Sequence, residues 1–128
     1  MKIIIETIPH ARQSYPTVGD WRRDEDGTLR INVSQEIGDK YAALVALHEL
    51  VEVLLCEDRG ITTAKVDEFD IEFEKQRAKS LTLDTSEPGD NRFAPYENEH
   101  CIATGIERIM AAALRVKWSD YETSINSL

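Results

Sequence analysis

His48-Glu49-Leu50-Val51-Glu52 is a stretch in which residue types and spacing together suggest chemistry. On a helix, residues four apart lie one above the other on the same face. His48 and Glu52 can therefore offer an imidazole nitrogen and a carboxylate oxygen to a single divalent cation. Glu49 projects about a quarter-turn away, where it can take a proton from water beside the ion without holding the ion itself. A carboxylate in the ligand set shifts preference slightly toward metals that favour oxygen.

The helix around these residues sharpens the expectation. Between Tyr41 and Cys56 its charged or titratable positions, those two ends aside, are His48, Glu49 and Glu52. The rest is apolar around the whole circumference, which predicts a helix buried on most sides. An ionised carboxylate in a dry interior costs on the order of several kcal/mol unless paired or metal-bound. The bland alternative places all three on one wet stripe of a surface helix.

A third ligand must come from another element. Placing Tyr96–Glu107 and the residues beyond at about 100° steps gives an apolar face of Ile102, Ala103, Ile106, Ile109, Met110 and Ala113. Glu99 falls in the middle of that face and is expected to point inward. His100 lies at its edge, on one stripe with Thr104 and Glu107. Either Glu99 or His100 can complete a site for zinc or another divalent metal, and Gly105 would let the two helices approach closely. The simpler role for Glu99 is a buried ion pair with Arg59 or Arg108, and His10 is incidental.

These residues need a scaffold. Residues 2–8 read as a strand ending at Pro9, and 21–24 and 28–33 flank Asp26-Gly27, a strong hairpin signal. Leu29, Ile31 and Val33 point one way, and Arg30 and Asn32 the other. The first helix follows Gly38 with Asp39 as cap and stops before Gly60, which suits a left-handed terminal position. The second spans about 63–79, capped by Thr62 or Thr63, with Val66, Phe69 and Phe73 inward beside Asp70. A loop over 80–94, with Asp90 and Tyr96 near its end, forms one wall of a cleft. The third helix runs from about Pro95 to Val116, and Ser119–Glu122 opens a short last helix with a capping-box pattern. The fold expected is α+β in one domain over 1–128. A three-stranded antiparallel sheet (strands about 2–33) packs on three main helices and a short C-terminal one (about 39–126).

Composition bounds the partners. The chain has 128 residues, 41% apolar and 30% charged, with a formal net charge of −9. A surface this acidic repels phosphate backbones and anionic membranes, so neither nucleic acid nor membrane is expected as a partner. The opening apolar run breaks at Glu6, too short for a signal segment. Cys56 and Cys101 both fall in helical patterns among apolar neighbours. They are expected to be small, buried and reduced, which fits the cytoplasm.

The order of strand, hairpin, HExx helix and later acidic helix resembles minimal zincin-type metallopeptidases, whose HExxH motif binds zinc through two histidines and uses the Glu as base. Asn98-Glu99-His100-Cys101-Ile102-Ala103 resembles the Asn-Glu-x-x-x-Ala context that supplies the third ligand in the gluzincin branch. The resemblance implies His48, Glu52 and Glu99 as ligands and Glu49 as general base, with Glu52 departing from the family's second His. HELVE, RGI, VDEFDIEFE, EPGD and APYxxEHxxATxIER also make the chain similar, over nearly its whole length, to short uncharacterised proteins of phages and bacteria. That similarity implies a free-standing protein and no mechanism.

Three functions follow as expectations. The first is a metal-dependent hydrolase in which the ion activates water and Glu49 takes its proton, the substrate being unknown. The second is a non-catalytic interaction protein in which a metal or a His–Glu network holds helices together. The third is a Mg²⁺-dependent nucleotide pyrophosphatase using Glu49 and Glu52 with Asp67 and Asp70.

Overall fold

β-branched residues at Ile3–Ile5 open strand β1 (Ile3–Ile8), and the Asp26-Gly27 turn joins β2 (Gly19–Arg23) to β3 (Leu29–Ser34). The structure is a computed structural model and describes residues 1–80 and 86–128. Residues 81–85, within the expected 80–94 loop, lie outside the described residues. Gly27 takes a positive φ of 85° in the hairpin turn, a conformation that glycine adopts without steric cost. Leu29, Ile31 and Val33 are buried, while Arg30 and Asn32 on the opposite face are half-buried.

The sheet is mixed and not antiparallel throughout. Its order is β1-β3-β2, with β2 antiparallel and β1 parallel to the central β3. Parallel strands need a long connection. Here the loop after Pro9, strand β2 and its hairpin turn supply it, so β1 enters beside β3 in the same direction.

Helix α1 (Asp39–Asp58) packs on β2 and β3. Asp39 is its first residue and not its cap, since Gly38 occupies that place with φ 81°. An acid in the first turn still favours the helix through its dipole. Gly60 takes the left-handed conformation expected after the helix end, with φ 72°. Helix α2 (Thr63–Lys79) is capped by Thr62, whose hydroxyl accepts from the Lys65 amide at 3.3 Å. Helix α3 (Glu97–Ala113) packs against α1 and is shorter than expected, Pro95 lying before it. Helix α4 (Trp118–Asn126) takes Ser119 inside its first turn, so that serine is not the cap.

α3 buries Glu99 and Ala103 as expected, but its buried face is rotated from the isoleucines toward His100 and Glu107. Glu99, His100, Ala103, Glu107 and Ala111 are buried, whereas Ile102, Ile106, Ile109 and Met110 are exposed, Ile109 to 73%. Periodicity finds two stripes on a helix but does not say which faces in. Here the polar stripe meets polar partners on α1 and α4, and that decides the rotation. Cys56 is buried as expected, Cys101 is exposed, and both are free thiols. Among the described residues, no helix is long and apolar enough to cross a membrane.

Candidate metal centre

α1 brings His48 and Glu52 to its buried face, and α3 brings His100 opposite them. His48 Nε2 lies 3.2 Å from Glu52 Oε2 and 3.2 Å from His100 Nδ1. His100 Nδ1 lies 3.0 Å from the same Glu52 oxygen. Three potential ligand atoms thus form a nearly equilateral triangle, on residues only 7%, 5% and 5% exposed. A tetrahedral ion with ligands about 2.0–2.1 Å away needs ligand atoms about 3.3–3.4 Å apart. The triangle is within a few tenths of an ångström of that spacing.

Carboxylates stand behind both rings. Glu107 Oε2 accepts from His48 Nδ1 at 2.8 Å, which turns Nε2 toward Glu52 and His100. Glu107 is itself held by the Tyr121 hydroxyl, which donates to Oε1. Glu87 Oε2 lies 2.9 Å from His100 Nε2. A carboxylate on the far nitrogen fixes the tautomer and orientation of a ligating histidine. Glu52 Oε1 accepts from the Trp21 indole at 3.4 Å, so the hairpin also helps to aim this carboxylate.

The charges in this cluster are strongly displaced from their ordinary balance. Burial works against the Glu52 carboxylate, but bonds from His100 and His48 outweigh it and hold its pKa at about 2. Burial also opposes charging of the histidines. Pairing with Glu52 and Glu87 nevertheless raises His100 to about 10, and Glu107 and Glu52 raise His48 well above its usual value. In the metal-free chain, protons supply the positive charge that three converging lone pairs require.

Glu49 is not in the triangle. It lines the same cavity of about 250 Å³ as His48, Glu52, His100, Asp20 and Tyr15. Burial, then the neighbouring charge of Glu52, pushes its carboxyl well above the usual range. Asp20, on β2, is raised to about 6, by burial first and by Asp67 next.

Glu99 stands apart from the triangle and pairs with Arg59 at 3.2 Å. The third corner of the triangle is the next residue, His100. Glu99→Gln is therefore expected to leave zinc content unchanged and lower stability by about 1 kcal/mol, the worth of a partly exposed pair. Loss of zinc in that variant, measured by elemental mass spectrometry, would return Glu99 to the ligand set.

Asp70 accepts from Tyr15 at 3.1 Å and also from Tyr96. Burial raises it to about 7 in spite of those bonds. Tyr96 is thus a buried aromatic committed to Asp70. Among the described residues, no group of ligand atoms close enough to share an ion includes Asp67 or Asp70. His10 bonds Ser34 at 2.8 Å, apart from the triangle.

In the sequence Glu107 shares the stripe of His100, whereas Glu87 and Trp21 show no sign of the support they give the site. Glu107 was detectable, since it follows His100 by two turns on one face. Glu87 and Trp21 reach the site through long-range folding and carry no local signal. Comparisons with protein-family models, with curated proteins and with solved structures found no match to the chain.

Proposed function

We propose that the chain is a metal-dependent hydrolase of zincin-like design, with His48, Glu52 and His100 as its metal ligands. The observation that carries this reading is the triangle of ligand atoms, each histidine backed by a carboxylate. Two histidine nitrogens and one glutamate oxygen form a donor set used by catalytic zinc sites, which leave a fourth position open. Glu52 stands where the HExxH motif has its second histidine, and His100 restores that nitrogen from α3. The donor set is kept while two of its positions are exchanged.

A divalent ion bound there would polarise a carbonyl oxygen and acidify water. The remaining work falls to the chain. Glu107 holds a proton on His48 Nδ1, and Glu87 is placed to hold one on His100 Nε2, so both rings direct lone pairs inward. Glu49, its carboxyl raised well above the usual range by burial, takes a proton from the attacking water and returns it to the leaving group. The cavity admits a single side chain or a small amide, and its acidic lining favours substrates without negative charge.

The test combines metal content with turnover on a panel of peptides and small amides. Wild type is expected to carry about one zinc per chain and to hydrolyse part of the panel. Glu49→Gln is expected to keep the zinc and lose at least about a hundredfold in rate. Metal-free protein with unchanged stability in chelator would defeat the metal site. Zinc with no turnover on the panel would instead support a structural centre tying α1 to α3 and α4.

A further inference from the structure

The turn at Pro88–Asp90 sets two carboxylates against the outer edge of the His100 ring. His100 Nε2 lies 2.9 Å from Glu87 Oε2 and 3.3 Å from Asp90 Oδ1. His100 is 5% exposed, and its Nε2 is sealed from solvent with the two carboxylates as its polar neighbours and no regular hydrogen bond to either. The other ring nitrogen, Nδ1, bonds Glu52. A neutral histidine carries one N–H. With Nδ1–H given to Glu52, a neutral ring aims its Nε2 lone pair between two carboxylates, and the three ligand atoms lie close enough together to share one ion.

The turn is shaped for this approach. A Cβ at Gly89 would overlap the His100 ring, so only glycine lets the backbone come so close. Asp90 Oδ2 accepts from the Glu87 amide at 3.3 Å, which fixes the Asp90 carboxylate and leaves Oδ1 for the cluster. The side chains of Glu87 and Asp90 are 46% and 51% exposed, so an ion can reach them from solvent.

We propose that Glu87 Oε2, Asp90 Oδ1 and His100 Nε2 form a second divalent-cation position, outside the His48–Glu52–His100 triangle and sharing His100 with it. The second position stands on its own ligand atoms and does not depend on the hydrolase reading. His100 offers one lone pair at a time. Nε2 faces outward while Nδ1–H rests on Glu52, and Nδ1 faces inward when Nε2–H rests on Glu87. The two positions therefore fill in alternation. The outer one, with its half-exposed carboxylates, meets an arriving ion first, and the buried inner one holds it.

The test is zinc titration against a chromophoric chelator, with folding of each variant checked by circular dichroism. His48→Ala is expected to keep one ion, bound about tenfold more weakly than in wild type. Adding Asp90→Asn to it should cost about tenfold more. Asp90→Asn alone should leave the equilibrium affinity unchanged but slow zinc uptake severalfold in stopped flow. Should His48→Ala unfold the chain, His48→Gln replaces it. If Asp90→Asn has no effect in either background, the outer position is refuted and the inner triangle stands. If Asp90→Asn alone abolishes binding while His48→Ala does not, the triangle fails and the outer position stands.

Discussion

Replacing His48 with alanine is expected to weaken zinc binding at least tenfold and to cancel about half of the stabilisation that zinc gives the wild type. Ligand linkage sets the scale. Zinc at about one hundred times its Kd stabilises a folded chain by about 2.7 kcal/mol, and a tenfold loss of affinity reduces that to about 1.4 kcal/mol. For a domain of this size the difference corresponds to a fall of about 4–6 °C in the zinc-dependent part of Tm. The substitution also leaves Glu107 with Tyr121 as its partner and removes one of the two histidines on Glu52 Oε2. The variant is therefore expected to lose stability even in chelator. Thermal scans with and without zinc separate the two losses. An unchanged zinc-dependent shift would remove His48 from the ligand set.

The second large effect is a change of pH dependence on loading with metal. His48 and His100 are raised in the folded chain, the latter to about 10. The stability they contribute is complete below about 6.5 and is lost as pH rises toward 10. Asp20 and Asp70, raised to about 6 and 7, act in the same direction from about pH 4 upward. Glu52, held at about 2, opposes them only in acid, between about pH 4.5 and 2. The metal-free protein is accordingly expected to be more stable at about pH 5 than at about pH 9. Metal binding requires deprotonated histidines and competes with those same protons. The extra stability given by zinc should therefore grow across that interval. Parallel curves with and without zinc, measured by urea unfolding, would show that the ion does not replace the protons on His48 and His100.

What the chain revealed before folding was local. The hairpin at Asp26-Gly27, the alternation of Leu29, Ile31 and Val33, the Gly60 stop and the Thr62 cap depend on a few neighbouring residues. The sequence showed them correctly for that reason. The i, i+4 pairing of His48 and Glu52 is of the same kind, and α1 fixes it without help. The parallel pairing of β1 with β3 joins residues 26 apart in the chain, such as Ile5 and Ile31, and no short pattern encodes it.

The choice between Glu99 and His100 turned on the rotation of α3. The wheel drew the apolar stripe inward by the usual rule. In the fold, Glu99 points inward as expected and pairs with Arg59, but His48 and Tyr121 draw Glu107, and with it the stripe of His100, inward beside it. The interior polar residues chose one another, and the isoleucines took the outside. Neighbouring residues on one helix point about 100° apart, so a modest turn of α3 exchanges one candidate ligand for the other.

Two glycines frame the cavity with ordinary negative-region backbone and no space for a methyl group. A Cβ on Gly19 would stand 2.9 Å from Glu49 Oε1, and one on Gly89 would overlap the His100 ring. Glu49 and His100 are thus each pressed by main chain, which cannot rotate away as a side chain can. That close packing restricts their rotamers when the chain folds, before any ligand arrives. A glutamate normally surrenders about 1.5–2 kcal/mol of such entropy on being ordered. Here part of that ordering is done in advance, and to that extent the affinity of the cavity for whatever it holds is not diminished by it.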